Sequence, residues 1–300
     1  MADQQKFGDP TEIRHTIGVE GTFSLHNVSG DIRLRGTDTD EVLVHARSSH
    51  GRSDSLPLIV RRTDGGLRIE VEQGSFDMLG LSRRRVGIEF DVTLPRAARV
   101  EVNAVSSDIE AHRLSADQAY KTVSGDVTVE GHGGRVSLTT VSGDVDLAAD
   151  QQLEPSVATT SGDVSISAPS VSALQVRTVS GDTRIRSGFL PDAGHRVESV
   201  SGDLLVEARS GLTLDVRRGI DVASGRNRRM VAGDGSAELR FRSLSGDVHL
   251  EGDVVEPAPA PAAPVPGASD DSLDVLRALE RGEIDVEEAA RRLEGASSRG

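Results

Sequence analysis

Apolar and polar residues alternate along most of this chain, and one recurring tripeptide punctuates the alternation. Val127-Thr128-Val129, Val145-Asp146-Leu147, Val164-Ser165-Ile166, Thr183-Arg184-Ile185 and Val248-His249-Leu250 each follow a Ser-Gly-Asp. Val136-Ser137-Leu138, Leu174-Gln175-Val176 and Val197-Glu198-Ser199-Val200 each precede one. A period of two marks a strand with one buried face. Each unit therefore reads strand, Ser-Gly-Asp turn, strand, looser connection.

The tripeptide occurs at Ser29, Ser124, Ser142, Ser161, Ser180, Ser201 and Ser245. A near-copy, Ser106-Ser107-Asp108, stands one period before Ser124, and a decayed copy, Ser224-Gly225-Arg226, stands between Ser201 and Ser245. From Ser106 the steps are 18, 18, 19, 19, 21, 23 and 21 residues. A fixed period of about 20 residues means one small unit stacked on itself. Two short strands and two corners per unit make one coil of a β-solenoid. One coil cannot bury its apolar face alone, so neighbouring coils supply the core. Stacked at the ordinary strand spacing of about 4.8 Å, the corners from Ser106 to Ser245 span ~34 Å.

Glycine suits such a corner because it reaches positive φ at little cost. Serine and aspartate suit it because their short side chains bond nearby amides. The expected corner residues are Ser29, Gly30, Asp31, Asp108, Gly125, Asp126, Gly143, Asp144, Gly162, Asp163, Gly181, Asp182, Gly202, Asp203, Gly246 and Asp247.

The flanks differ from the regular stack at 101–255. Residues 1–10 are polar and read as a disordered N-terminus. Residues 11–100 hold strand-like stretches at 41–46, 58–62, 67–71 and 86–94, with turn punctuation at Asp64-Gly65-Gly66. They read as an irregular β start that covers the first edge of the solenoid, since an uncovered edge invites aggregation. Residues 256–269 form a Pro/Ala linker. Over 270–296 the period becomes helical: Ser272 caps a helix with Leu273, Leu276 and Leu279, and Asp285 with Glu288 forms a capping box before Ala289 and Leu293. The pattern predicts a small helical hairpin whose Leu273, Leu276, Leu279 and Leu293 make a face for a protein partner or for self-association.

Composition narrows the function. The net charge of −14 repels polyanions, which disfavours bulk nucleic-acid binding. Aromatic residues are 2%, too few for base-stacking platforms. With no cysteine there is no disulfide, thiolate metal site or thiol nucleophile. No signal peptide and no apolar run of membrane-spanning length is visible, so a cytoplasmic address is expected, with peripheral contact at the inner membrane face only through a partner.

The order of motifs resembles a known bacterial family. It begins with Phe23-Ser24-Leu25-His26-Asn27-Val28-Ser29-Gly30-Asp31-Ile32 and continues through Asp40-Glu41-Val42-Leu43-Val44 and Val92-Thr93-Leu94-Pro95. Val100-Glu101-Val102 then leads into the serial corners. Over roughly 17–251 this resembles the putative-adhesin β-strand-repeat family, also called toastrack-like. The resemblance implies a right-handed, mostly parallel β-helix and a place in cell-envelope stress systems. Leu279-Glu280-Arg281-Gly282-Glu283-Ile284-Asp285-Val286-Glu287-Glu288-Ala289-Ala290 is similar to the SHOCT-like helical module that accompanies such domains. The expected fold class is thus all-β, a β-solenoid with coils of about 18–21 residues plus a small C-terminal helical hairpin.

Candidate chemistry is sparse. Stacked aspartates suggest a calcium-binding edge, yet calcium β-rolls use nine-residue repeats and these units are twice as long. Hydrogen bonding within the corner or to the next coil fits turn chemistry better. A nucleophilic serine needs a base and an orienting acid; the histidines, His15, His26, His45, His50, His112, His132, His195 and His249, are scattered and match no such spacing. No enzyme, cofactor or metal site is expected. Two basic clusters break the acidic background: Arg83-Arg84-Arg85, and Arg226, Arg228 and Arg229 with Arg217-Arg218 nearby. The second, at the decayed corner, is a candidate anion-docking site against the plainer reading of a solvated loop. Phe76-Asp77-Met78-Leu79-Gly80-Leu81 is read as a cover folded over the core, with an exposed tip as the alternative. The sequence thus points to a non-enzymatic scaffold for protein–protein interaction, with an exported surface adhesin or ligand-binding protein as the alternative.

Overall fold

The computed structural model describes residues 7–49, 55–72, 87–218, 227–252 and 254–255. The first strands are β1 (Thr11–Thr16), β2 (Thr22–His26), β3 (Ile32–Thr37), β4 (Glu41–Ser48), β5 (Leu58–Thr63), β6 (Gly66–Val71) and β7 (Ile88–Pro95). The middle holds β8 (Arg99–Asn103), β9 (Ile109–His112), β10 (Gln118–Lys121), β11 (Val127–Thr139), β12 (Val145–Ala158), β13 (Val164–Val171), β14 (Leu174–Ser180) and β15 (Thr183–Phe189). The last are β16 (His195–Ser201), β17 (Leu204–Ala208), β18 (Leu212–Arg218), β19 (Asn227–Ala232), β20 (Ala237–Ser245), β21 (Val248–Glu251) and β22 (Val254–Val255).

The strands stack in two facing rows joined by corners. One row, after the Ser-Gly-Asp corner, runs β7, β3, β9, β11, β12, β13, β15, β17, β21, all in parallel register. The other, before the corner, runs β6, β2, β8, β10, β11, β12, β14, β16, β20, β18, also parallel. β11 and β12 are long enough to serve both rows. Between the rows lies a core of small aliphatic layers: Val127, Val129, Val136 and Leu138 in one coil, Val145, Leu147, Leu153 and Val157 in the next. Burying each such side chain contributes about 1.5–3 kcal/mol, but only when the coils above and below close the layer.

The chain does not fill the stack in sequence order. The first coil, β2–β3, lies between β6–β7 and β8–β9, so Ser29 pairs directly with Ser106 despite the long insertion between them. The same inversion occurs at the other end: β20 lies between β16 and β18, and Ser201 pairs directly with Ser245. No rung stands between Ser201 and Ser245. β18 and β19 are antiparallel, and 219–226, which carries Ser224-Gly225-Arg226, lies outside the described residues. The continuous series of corners is Ser29, Ser106, Ser124, Ser142, Ser161, Ser180, Ser201, Ser245.

Antiparallel strands close the stack. β4 pairs β7 and β1, and β5 pairs β6, at one end; β19 pairs β18 and β22 at the other. Outward charges blunt these terminal strands, among them Glu12 and Arg14 on β1 and Arg61 and Arg62 on β5.

The expected fold class needs a correction. No helix occurs among the described residues, so the structure supports an all-β solenoid without the helical hairpin. Residues 270–296, with Leu273, Leu276, Leu279 and Leu293, lie outside the described residues, as do the linker at 256–269, the Phe76–Leu81 run and Arg83–Arg85. Caps and leucine spacing state a propensity; a segment of that length acquires a fixed fold only from a surface to pack on.

The variation in coil length is absorbed at the corner opposite Ser-Gly-Asp. The register shifts there between Glu130 and Gly134, between Ala148 and Leu153, and between Ser167 and Ser170. The Ser-Gly-Asp corner admits none. Its glycines, from Gly125 to Gly246, sit at φ of 125° to 139°, and a β-carbon at Gly162 would fall on the carbonyl oxygen of Gly143 in the coil below. Gly162→Ala is expected to lower unfolding free energy by about 2–4 kcal/mol in a denaturant titration, from backbone strain and overpacking together. Gly65→Ala, which meets nothing within 4 Å, is the neutral control.

Candidate functional site

The Ser-Gly-Asp edge is built from a five-residue pattern, of which Thr122-Val123-Ser124-Gly125-Asp126 is one copy. The threonine points inward. Thr122, Thr140, Thr159 and Thr178 are buried, and each hydroxyl donates to the carbonyl of the serine two residues on, at 3.1–3.3 Å. Ser243 does the same to Ser245 at 2.7 Å. In the first coil Asn27 takes this place and donates to the Gly30 and Ile88 carbonyls. Ser107, at the glycine place of the near-copy, has no positive φ and is buried beside Asn27.

The aspartates tie each coil to the next. The amide N–H of Asp126 donates to Oδ1 of Asp108 at 3.0 Å. Asp144 bonds Asp126, Asp163 bonds Asp144, Asp182 bonds Asp163 and Asp203 bonds Asp182, each at 2.8 Å, and Asp247 bonds Asp203 at 2.7 Å. Repulsion between neighbouring exposed carboxylates one rung apart costs about 1 kcal/mol in water. A hydrogen bond to a charged acceptor contributes about 1.5–3 kcal/mol, so the tie prevails. Among the described residues, no cluster of carboxylates and histidines is arranged to hold a metal ion.

The residue before each serine points outward, and it is aliphatic at nearly every rung. Val105, Val123, Val141, Val179, Val200 and Leu244 are 43–49% exposed, Thr160 fills the position before Ser161, and Val28 before Ser29 is half-buried. Backbone bonds place them in line: Ser124 N–H donates to the Val105 carbonyl, Ser142 to Val123, Ser161 to Val141 and Ser180 to Thr160. The result is a rail of aliphatic side chains with the exposed aspartates on one side. On the other runs the outward row Asn103, Lys121, Thr139, Ala158, Arg177, Glu198, Arg242. Sequence reasoning missed this rail. The signal was present: counting by two from buried Leu138 puts Thr140 inside and Val141 outside.

The other candidates do not converge on this edge. Arg228 and Arg229 lie exposed on β19, opposite Val216 and Asp215, and Arg226 is outside the described residues. No corner serine hydroxyl among the described residues bonds a histidine. A cleft of about 350 Å³ at the opposite corner is lined by Arg96, Arg113, Ser115, Asp150 and Gln151. Arg113 there has a left-handed φ of 57°. Two histidines are core residues. His132 lies within hydrogen-bonding reach of the Leu114 carbonyl and the Gln118 amide, and the Tyr120 hydroxyl donates to Gln118 at 2.6 Å. Burial pushes His132 down to about 4 and lowers His195 as well, each opposed by a backbone carbonyl.

Residues 22–257 match the family model described as Toastrack DUF4097. A search of curated proteins finds no match. Among solved structures, the chain is similar to a putative adhesin from Bacteroides fragilis, at 10% identity over 81% of this chain and 97% of that one, with a TM-score of 0.45. It is also similar to a putative lipid binding protein from Parabacteroides distasonis, at 11% identity over 81% and 97% of the two chains, TM-score 0.38. A putative adhesin from Parabacteroides merdae gives 10% identity over 81% and 97%, TM-score 0.27. Likeness at this level carries nothing about function over to this chain.

Two outcomes follow from the bonding. Asp144→Ala should cost about 1–2 kcal/mol of unfolding free energy, whereas Asp144→Asn, which keeps the acceptor and removes a charge, should cost little or nothing. If Asn proves as costly as Ala, the carboxylate charge itself matters. Second, folding keeps His132 neutral, so the unfolded chain binds more protons between its ordinary value and 4. Stability should fall by about 3 kcal/mol as pH drops from about 6.5 to 4, and His132→Gln should flatten that slope in denaturant titrations across pH.

Proposed function

The chain belongs to the Toastrack DUF4097 family, and from that membership and the edge just described we propose that it is a non-enzymatic β-solenoid scaffold for protein–protein interaction. Its working surface in this reading is the aliphatic rail. A single exposed valine on a monomer means nothing, because scattered apolar exposure is normal. Six over seven rungs, interrupted by Thr160 at the centre, form a stripe ~29 Å long at the strand spacing, and apolar patches of such extent mark interaction sites. The corner requires Gly for its backbone path, Asp for the tie between coils and the buried hydroxyl of Thr, and it uses the backbone N–H and carbonyl of Ser. It requires nothing aliphatic of the outward position, where a polar residue would meet water at no cost. Thr160 occupies that position without any break in the backbone ties around it. The setting in cell-envelope stress regulation comes from the family resemblance.

The alternative, an exported surface adhesin or ligand-binding protein, would offer the same rail to an extracellular partner. Cell fractionation separates the two. The scaffold reading is tested by affinity capture from the native cell with the intact chain and with Val123→Lys/Val141→Lys/Val179→Lys as baits. The triple variant should melt like the parent and lose the parent's specific partners. An unchanged partner set would reject the rail as the docking surface.

A further inference from the structure

Resting on that docking reading, the geometry points to a second copy of this chain as an occupant of the rail, related by a two-fold axis parallel to the coil stack. The rung spacing favours such a copy. Rungs recur every ~4.8 Å over six steps. A helix laid along the rail repeats every ~5.4 Å and drifts by about 3.6 Å over that length. A single extended strand presents same-face side chains every ~6.7 Å. Another stack of β-coils matches the rail at every rung, and this chain carries one.

Charge on the two flanks selects the arrangement. The rail is flanked on one side by Asp108, Asp126, Asp144, Asp163, Asp182, Asp203 and Asp247, all exposed. On the other side lie Lys121, Arg177 and Arg242, with Glu198 bonded to Arg177 at 3.1 Å. A two-fold axis perpendicular to the stack would set aspartate row on aspartate row. An axis parallel to the stack keeps every rung at its own level and exchanges the flanks. Asp126 then faces Lys121 of the second copy, Asp182 faces Arg177 and Asp247 faces Arg242, each pair occurring twice by symmetry. Asp108, Asp144 and Asp163 face the uncharged Asn103, Thr139 and Ala158, and Asp203 faces Glu198, the one like-charge pair, whose charge Arg177 already partly offsets. A narrow stripe of this kind belongs to the small, weak end of specific interfaces, so the dimer is weak and concentration-dependent.

The chain has no cysteine, which makes the geometry directly testable. Val123→Cys, Val141→Cys, Val179→Cys and Val200→Cys, each alone in the full chain, are treated with a short bis-maleimide. With the parallel axis every rung meets its own copy, so all four variants should cross-link to dimers. With the perpendicular axis Val123→Cys would sit ~19 Å from its own copy and cross-link only when mixed with Val200→Cys; that result would overturn the proposed arrangement. Sedimentation equilibrium on the parent should show monomer and dimer. Val141→Lys/Val179→Lys should raise the dissociation constant by about tenfold or more, and Arg177→Asp/Arg242→Asp should also raise it. A parent that stays monomeric at about 1 mM, with no cross-linking at any rung, sinks the dimer. In that case, loss of captured partners by the rail variant would leave the scaffold reading standing; no loss would end both.

Discussion

A carbonyl oxygen occupies the space where the next coil's corner residue would carry its β-carbon, from Gly125 up to Gly246. The rest of the structure depends on that close approach. It demands glycine twice over, for positive φ and for space, and it brings the coils near enough for each aspartate to accept the amide of the next. With the corner pinned, the strands on both sides enter the core in fixed register. A one-residue slip would turn Val145 and Leu147 outward. The opposite corner is free of this constraint, which is why the register shifts, the bulges and the buried His132 network occur there.

The pinned corner also fixes what faces solvent. The inward threonine and the outward valine are consecutive residues of one strand end, so in the coils from Ser106 onward a rung that buries the first displays the second. Repetition turns a local choice of side chain into a surface of molecular length. The same repetition lines up the aspartates on one flank and a mixed, partly basic row on the other. An edge with three parallel rows of different chemistry is directional, and this separates it from a merely apolar face.

Much of the architecture was legible. The period-two alternation, the near-20-residue spacing and the Ser-Gly-Asp chemistry each act within one coil or between adjacent coils, and short-range rules read them. Corner roles for Gly162 or Asp144 follow from backbone geometry that a tripeptide already implies. The rail was legible too, but only by carrying the alternation through the corner instead of stopping at it. The copy at Ser224 misled because spacing counts residues along the chain, whereas Ser201 pairs directly with Ser245. The leucine hairpin was a statement of helix propensity, and its residues lie outside the described ones.

The sequence by itself determined the repeating unit, because the forces that shape one coil lie within some twenty residues of each other. Only the tertiary structure decided the order in which coils fill the stack. It placed Ser29 beneath Ser106, Ser245 directly on Ser201, and antiparallel strands over both ends. The physical reason is that every coil offers nearly the same edges to its neighbours, so local pairing energies are close to equal. Which coil meets which is then settled by the few residues that cover the ends, and those act across distances no repeat spacing encodes.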